Sequence, residues 1–301
     1  MTPARLCLAC SVALLVLAGS PAAGGGSGGA DLSAYGGLGT WVDLYSPSFR
    51  SSPERLTAAL AARGATAVFV ETGNYRQRVD LVAPRWLAGL IEAAHARGIA
   101  VVAWYLPSLT DVRRDLRRAR AATRFRTIAG DRFDSFALDI EATTVHDVAE
   151  RNRRLLSFSQ RLRVAVGAGY PLGAIIPSPV GMTHLPRYWP HFPYAGLALV
   201  YDVLVPMAYY SYRAHGPAAV KKYIQTSVGI IRRASGDAAV PVHVIGGLAG
   251  KTTVGDVAAF VQAAASCDAY GLSLYDFDST KRSMWPLLQR VPPATPSPSG
   301  C

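Results

Sequence analysis

Cysteine is scarce in this chain. Four occur in 301 residues, at positions 7, 10, 267 and 301, too few for disulfides to serve as the framework of so long a fold. The first two form a C-x-x-C, but inside an apolar stretch (6–17) that follows Arg5 and runs out at the small residues Ser20-Pro21-Ala22-Ala23. That order of charge, apolar run and small-residue exit is expected to be a secretory signal over 1–23, removed together with both cysteines. Cys10 falls too early in the run to be a lipid-attachment site. Cys267 and Cys301 then remain, and whether they pair is open, because Cys301 ends a Pro/Ser-rich tail (292–301). No later stretch approaches the roughly 20 apolar residues of a membrane span, so no stable membrane insertion is expected and the protein should be extracellular.

Several chemical signatures are also missing. The six histidines show no H-E-x-x-H or comparable spacing, so neither a zinc site nor any cofactor is expected, and His243 reads as a satisfied core residue. No G-x-S-x-G elbow supplies a serine nucleophile. Gly247-Leu-Ala-Gly-Lys-Thr252 resembles a phosphate loop, but the glycine required five positions before Gly250 is Ile245, and the segment reads as a strand–helix turn. Acidic residues are few, 20 Asp and Glu against 31 Lys and Arg, for a formal charge of +11. Such an excess suits acidic partners, an anionic cell-wall polymer among them. The arginines are spread over 113–126 and 151–163, and no compact basic motif with interleaved aromatics appears. They are therefore read as a solvated face, and nucleic acid is not an expected partner. Nothing in the composition demands a second subunit, and a monomer is expected.

What the chain does have is apolar material, 50% of its residues, arranged with a rhythm. After a glycine-rich leader (24–37), eight short apolar runs alternate with helix-like segments. The runs cover 39–45, 67–71, 100–106, 135–142, 173–178, 203–211, 242–247 and 271–276, lengths and compositions that suit buried parallel strands. Helical patterns cover 53–63, 84–97, 111–124, 145–163, 218–234, 254–265 and 284–289. The first has Ser52 as a cap, Pro53 at its start and Gly64 past its end; the second stops at Gly98. The proline-rich connection 179–201 reads as a loop with at most a short helix. Eight strand–helix units over 38–291 predict an α/β fold, a single (β/α)8 barrel. A doubly wound open sheet would show a phosphate-binding glycine turn after its first strand, where this chain has Ser46-Pro47-Ser48-Phe49.

Barrel enzymes place their chemistry where strands end, and the fourth strand is the clearest candidate. With side chains alternating faces, Ser135, Ala137, Asp139 and Glu141 point to the barrel axis, and Phe136, Leu138 and Ile140 to the helices. Two inward carboxyls at a strand end are costly unless they have a purpose or a partner. Their proximity should raise one pKa and keep a proton available near neutrality. The alternative is a structural ion pair with an arginine such as Arg213. Other strand ends add Asp43 and Tyr45 above Trp41, then Glu71 followed by Asn74 and Tyr75. The third strand offers Trp104 and Tyr105, of which only one faces inward, and Tyr105 enters the candidate set. Met207, Tyr209 and Tyr210 come from the sixth strand, Tyr275 and Asp278 from the eighth. Aromatic faces beside carboxyls suit sugar rings; the same aromatics would also serve as core caps.

The segment Asp134-Ser-Phe-Ala-Leu-Asp-Ile-Glu141 resembles the fourth-strand signature D-G-x-D-x-D-x-E of glycoside hydrolase family 18, the chitinase-like barrels. Asp134, Asp139 and Glu141 match it, and Ala137 replaces the middle aspartate. Met207-Ala-Tyr209 is similar to that family's Met-x-Tyr, with Tyr210 where an aspartate is customary and Tyr275 in place of a tryptophan. The resemblance implies Glu141 as general acid, Asp139 as the orienting carboxyl, and the substrate's own N-acetyl group as nucleophile. An Asp-x-Glu at this strand end is also similar to the family 25 lysozymes, which act on peptidoglycan. The expectation is therefore a secreted glycoside hydrolase of the retaining type acting on a polysaccharide or cell-wall glycan, with Tyr209 steadying the sugar and Glu71 or Asp278 as a further carboxyl. The rival is a carbohydrate-binding barrel that has lost catalysis. A phosphodiester lyase or aldolase would want a lysine or a histidine pair at the mouth, and neither stands out.

Overall fold

A computed structural model describes residues 29–291 and residue 301. The signal expected at 1–23, positions 24–28 of the leader and 292–300 of the tail lie outside the described residues. Eight strands form one sheet in which every pairing is parallel: β1 (Gly37–Val42), β2 (Ala67–Asn74), β3 (Ala100–Leu106), β4 (Ser135–Asp139), β5 (Leu172–Ile176), β6 (Val203–Pro206), β7 (His243–Leu248) and β8 (Gly271–Tyr275). The order β6-β5-β4-β3-β2-β1-β8-β7 follows the chain around a ring. The seam between β6 and β7 is bridged at Leu204–Val242 and Met207–Ile245. The result is the nearly closed (β/α)8 barrel that the alternation of elements predicts.

Helices α1 (Pro53–Ala62), α2 (Pro84–His95), α3 (Val112–Thr123), α4 (Val148–Val166), α5 (Pro179–His184), α6 (Tyr194–Ala198), α7 (Pro217–Ser235), α8 (Val254–Ser266) and α9 (Trp285–Leu288) connect and enclose the strands. Their ends are written locally. The Ser52 hydroxyl accepts from Arg55 N, and Asp111, Asp147, Ser178 and Thr253 cap α3, α4, α5 and α8 in the same way. Gly64 and Gly98 adopt φ of +67° and +66° just beyond α1 and α2, where a β-carbon would be strained. The connection 179–201 holds two short helices, α5 and α6, one more than its prolines suggest; Pro179 sits at the first position of α5, where its missing N–H costs nothing.

Two cores follow from the alternation of side chains. Phe136, Leu138 and Ile140 join the layer between strands and helices, whereas Ala137 lies in the barrel interior with Trp41, Phe69, Trp104 and Ile175. The floor of the interior comes from a place the sequence reads as leader. Residues Ser33–Tyr35 form a 3-10 turn, and Tyr35 is fully buried. The Ser135 hydroxyl donates to the Tyr35 hydroxyl at 2.7 Å, and His243 Nδ1 meets the Tyr35 carbonyl at 2.8 Å. A β-carbon on Gly173 or Gly271 would collide with Tyr35, so both glycines are required by close approach. His243 is buried with its other nitrogen on Ser273 Oγ at 3.0 Å, and burial lowers its pKa to about 4. Cys267 and Cys301 are joined as a disulfide.

Candidate active site

The mouth of the barrel, at the C-terminal ends of the strands, opens into a cleft of about 360 Å³, inside the range of roughly 300–1,000 Å³ typical of small-ligand sites. Its floor is aromatic. Trp41 stacks on Phe69 with ring centres 4.3 Å apart, and Trp104 packs edge-on to Trp41. Tyr209 and Tyr275 close one wall. Asp139, the last residue of β4, projects onto this floor, and the ladder runs on through a bond from Ile140 N to Ile175 O (2.8 Å), which aims Glu141 at the same cleft.

Four carboxyls line it, and three of them, Asp139, Glu141 and Glu71, are pushed above the ordinary range. Asp139 is only 7% exposed, and its Oδ1 is buried without a hydrogen-bond partner among the described residues. Burial first, then the charges of Glu141 and Glu71, hold its carboxyl well above the ordinary range. Glu141 stands at the open rim, and the desolvating walls of the cleft raise its carboxyl too. Glu71 is 3% exposed; its Oε1 accepts from Asn74 Nδ2 (2.9 Å) and its Oε2 from Leu44 N (3.1 Å). Burial lifts Glu71 to about 7, with Asp43 and Glu141 adding to the effect and the two hydrogen bonds opposing it. Among the described residues no arginine or lysine forms a salt bridge with any of the three, and Arg213 leaves Asp139 and Glu141 unpaired.

Asp43 is held in place by two donors: the Tyr275 hydroxyl reaches its Oδ2 and Tyr45 N its Oδ1, both at 2.7 Å. Burial keeps the Tyr275 and Tyr209 phenols protonated far above their usual pKa, and for Tyr209 the charges of Asp139 and Glu141 add to this. The Trp104 indole N–H is a second buried polar group without a partner. An unpaired donor and an unpaired acceptor in one cleft are groups suited to hydrogen-bond a polar ligand.

Of the residues expected at the mouth, Asp43, Tyr45, Glu71, Asp139, Glu141, Met207, Tyr209 and Tyr275 line this cleft. Three expected there are elsewhere. Tyr105 faces the helices, where its hydroxyl donates to Asp115 at 2.6 Å; its neighbour Trp104 takes the inward place. Tyr210 is buried outside the barrel against Phe260, with its hydroxyl on Thr252. This happens because β6 ends at Pro206, not at 211, and the backbone then winds through successive tight turns at 208–210. Asp278 accepts from Ser48 N and Oγ and ties the β8 loop to the β1 loop. Asp134 lies at the opposite end of β4, bonded to His95 and Val101 N. Asn74 and Arg76 join the cleft because β2 continues past Glu71 through a bulge to Asn74, a continuation announced only by the β-branched Thr72.

Among the described residues no group of three or more His, Cys, Asp or Glu is arranged to hold a metal ion, and no helix is long and apolar enough to cross a membrane.

No protein-family model matches the chain, and no curated protein is similar to it in sequence. Solved structures are similar in shape. A chitinase from Bacteroides thetaiotaomicron has a TM-score of 0.63 at 12% identity, over 85% of this chain and 96% of that one. A family 18 chitinase variant from Cycas revoluta, in complex with (GlcNAc)4, has a TM-score of 0.61 at 11% identity, over 84% and 98%. The spore cortex-lytic enzyme SleL of Bacillus cereus has a TM-score of 0.61 at 9% identity, over 84% and 73%. At such identities the likeness is one of fold: this chain has the TIM-barrel architecture that chitinases and a cortex-lytic enzyme share.

Proposed function

We propose that the protein is a secreted glycoside hydrolase that cleaves a polysaccharide or cell-wall glycan, with Glu141 as its general acid and Asp139 as its orienting carboxyl. The observation that carries this reading is the pair itself: two adjacent carboxyls in an open aromatic cleft, both raised and neither paired with a cation. A carboxyl held above its ordinary pKa retains its proton closer to neutrality and suits the role of acid. Asp139, buried and reluctant to ionise, is a poor nucleophile, which favours participation by the substrate. Its unpaired Oδ1 would accept from an amide N–H on a 2-acetamido sugar, turning the amide oxygen toward the anomeric carbon. That oxygen forms the new bond to carbon as the glycosidic C–O bond breaks, and the departing oxygen takes the Glu141 proton. Glu141, now a carboxylate, draws a proton from water, whose oxygen opens the cyclic intermediate and restores the sugar and the acid. Tyr209, kept protonated, would donate to the amide oxygen. The apolar walls suit the C–H faces of the rings.

One observation favours a second reading, a glycan-binding barrel without catalysis. Ala137 puts a methyl group in the apolar interior beneath Asp139, which therefore lacks an inner carboxyl to share its proton. The experiment is release of reducing ends from chitin oligosaccharides and from peptidoglycan by wild type and Glu141→Gln. The hydrolase reading expects release by wild type, a loss of about 100- to 10,000-fold in the variant, and retained binding in both. Binding without release by wild type replaces the hydrolase with the binding barrel, and equal rates in the two proteins remove Glu141 from the role of acid.

A further inference from the structure

The basic residues of this chain are not spread evenly over its surface. Helix α3 carries five arginines against one aspartate and the neighbouring α4 five against one glutamate, so the two supply a net +8 of the chain's formal +11; neither contains a lysine. The two helices pack side by side, and clefts form along their junction. One of about 540 Å³, next to the N-terminus of α3, is lined by Arg113, Arg153, Arg154 and Arg161 together with one carboxyl, Asp111, which pairs with Arg114 at 3.5 Å. A second of the same size shares Arg113 and Arg161 with the first and adds Arg117, Arg120 and Arg124. A third, of about 400 Å³, starts from Arg124 and continues to Arg126, Arg132 and Tyr170. The shared residues make the clefts a continuous groove. It runs from the mouth side of the barrel, where α3 begins, toward the opposite end, where Tyr170 precedes β5, and α3 alone spans about 18 Å of it.

Part of this charge is neutralised internally. Arg117 pairs with Asp80 at 2.7 Å, and Arg153 and Arg154 share Glu150, each at 2.6 Å. Arg113, Arg120, Arg124 and Arg161 have no acidic partner among the described residues, and the Nε of Arg120 is buried without a hydrogen bond. Four uncompensated guanidinium groups facing one groove repel one another unless anions lie between them. Their planar forks favour bidentate oxyanions at intervals along a chain. The rest of the lining decides which chain. Leu116, Ala121, Ala165 and Val166 are aliphatic, and the one aromatic ring, Tyr170, already lies under Arg132. The groove therefore offers charge without a stacking platform for nucleobases or sugar rings.

We propose that the α3–α4 groove is a docking site for a linear polyol-phosphate polymer, whose slim, ring-free backbone presents phosphodiester charges at regular spacing. The groove is separate from the cleft at Asp139 and Glu141, and the proposal does not depend on what that cleft does.

The test is binding of the full-length protein to poly(glycerol phosphate) chains over a range of NaCl concentrations. Wild type should bind at low salt, with affinity falling steeply as salt rises. The variant Arg113→Gln/Arg124→Gln/Arg161→Gln, altered at exposed positions and checked by its melting temperature, should lose about tenfold or more, and its logarithmic salt slope should fall by roughly 2–3. A second variant, Lys221→Gln/Lys222→Gln/Arg282→Gln, removes the same charge from exposed positions on other faces and should bind as wild type does. Polygalacturonate and oligo-dT of matched charge should bind more weakly than the polyol phosphate. Equal losses in the two variants would mean that net charge alone is responsible, and the groove assignment fails. It fails equally if the arginine variant binds unchanged, if wild type does not bind at low salt, or if either comparison polymer binds as tightly.

Discussion

Asp139 has a buried oxygen without a partner and a carboxyl that resists ionisation, an arrangement that weakens the fold at neutral pH and is kept where it serves a site. Replacing it with asparagine keeps the shape and removes the charge. Asp139→Asn should therefore be more stable than wild type near neutral pH, by urea midpoint, and under the proposed hydrolase function should lose glycan cleavage; lower stability than wild type would mean that the carboxylate has a partner after all. Glu71 allows the sign to be worked out. Its folded pKa is about 7 against 4.5 for the unconstrained group, so between those values the unfolded chain ionises while the folded one stays protonated. Stability from this residue is present below pH 4.5 and declines as pH rises to 7, by at most about 3 kcal/mol. In Glu71→Gln that decline should shrink, measured as the difference between urea midpoints at the two ends of the window. At this scale the sequence was informative where one parity decides the outcome. Asp139 and Glu141 followed from alternation along β4. Tyr105 and Trp104 could not be separated in the same way, because β3 is apolar on both faces and its pattern carries no parity.

At the scale of elements, Tyr35 closes the bottom of the barrel from a segment whose glycines suggest a loose leader. The ring fills space that Gly173 leaves open and the Tyr35 carbonyl the space beside Gly271, and the hydroxyl and carbonyl of Tyr35 tie β4 and β7 together. Tyr35→Phe should lower stability by about 1 kcal/mol through the lost hydrogen bond, and Tyr35→Ala by about 3–5 kcal/mol. Denaturant unfolding of the two variants checks both values. Similar small losses would place the ring outside the core. Nothing in the sequence near Tyr35 marks it as structural; its partners lie 100 and 208 residues away. The end of β6 is a related case. Pro206 cannot donate to a ladder, and the turns after it send Tyr210 outward, although an unbroken strand reads equally well from the residues.

For the whole molecule, the Cys267–Cys301 bridge secures the last residue of the chain at the end of α8, beside α7, where the Cys301 carbonyl lies 3.1 Å from the position a β-carbon on Gly229 would take. It closes a loop with a sequence separation of 34, which by loop-closure entropy contributes at most about 4 kcal/mol. Cys301→Ser should lose stability up to that amount, and reduction of wild type should give the same urea midpoint as the variant. A variant as stable as oxidised wild type would show that the bridge constrains little. Charge is distributed at this scale as well: the arginines that look dispersed along the chain are gathered by α3 and α4 onto one side of the barrel.

What depends on short range is already written in the order of the residues. Eight apolar runs separated by capped helices specify a parallel α/β barrel, and alternation along one strand places two carboxyls at its mouth. What depends on residues far apart in the chain emerges with the folded barrel. It brought Glu71 from β2 into the field of Asp139 and Glu141, set Tyr35 into the floor, chose Trp104 over Tyr105 and lined a groove with arginines from two helices. Periodicity and capping are set by neighbours within a few residues, whereas desolvation, charge coupling and close packing are properties of the space into which the chain has folded.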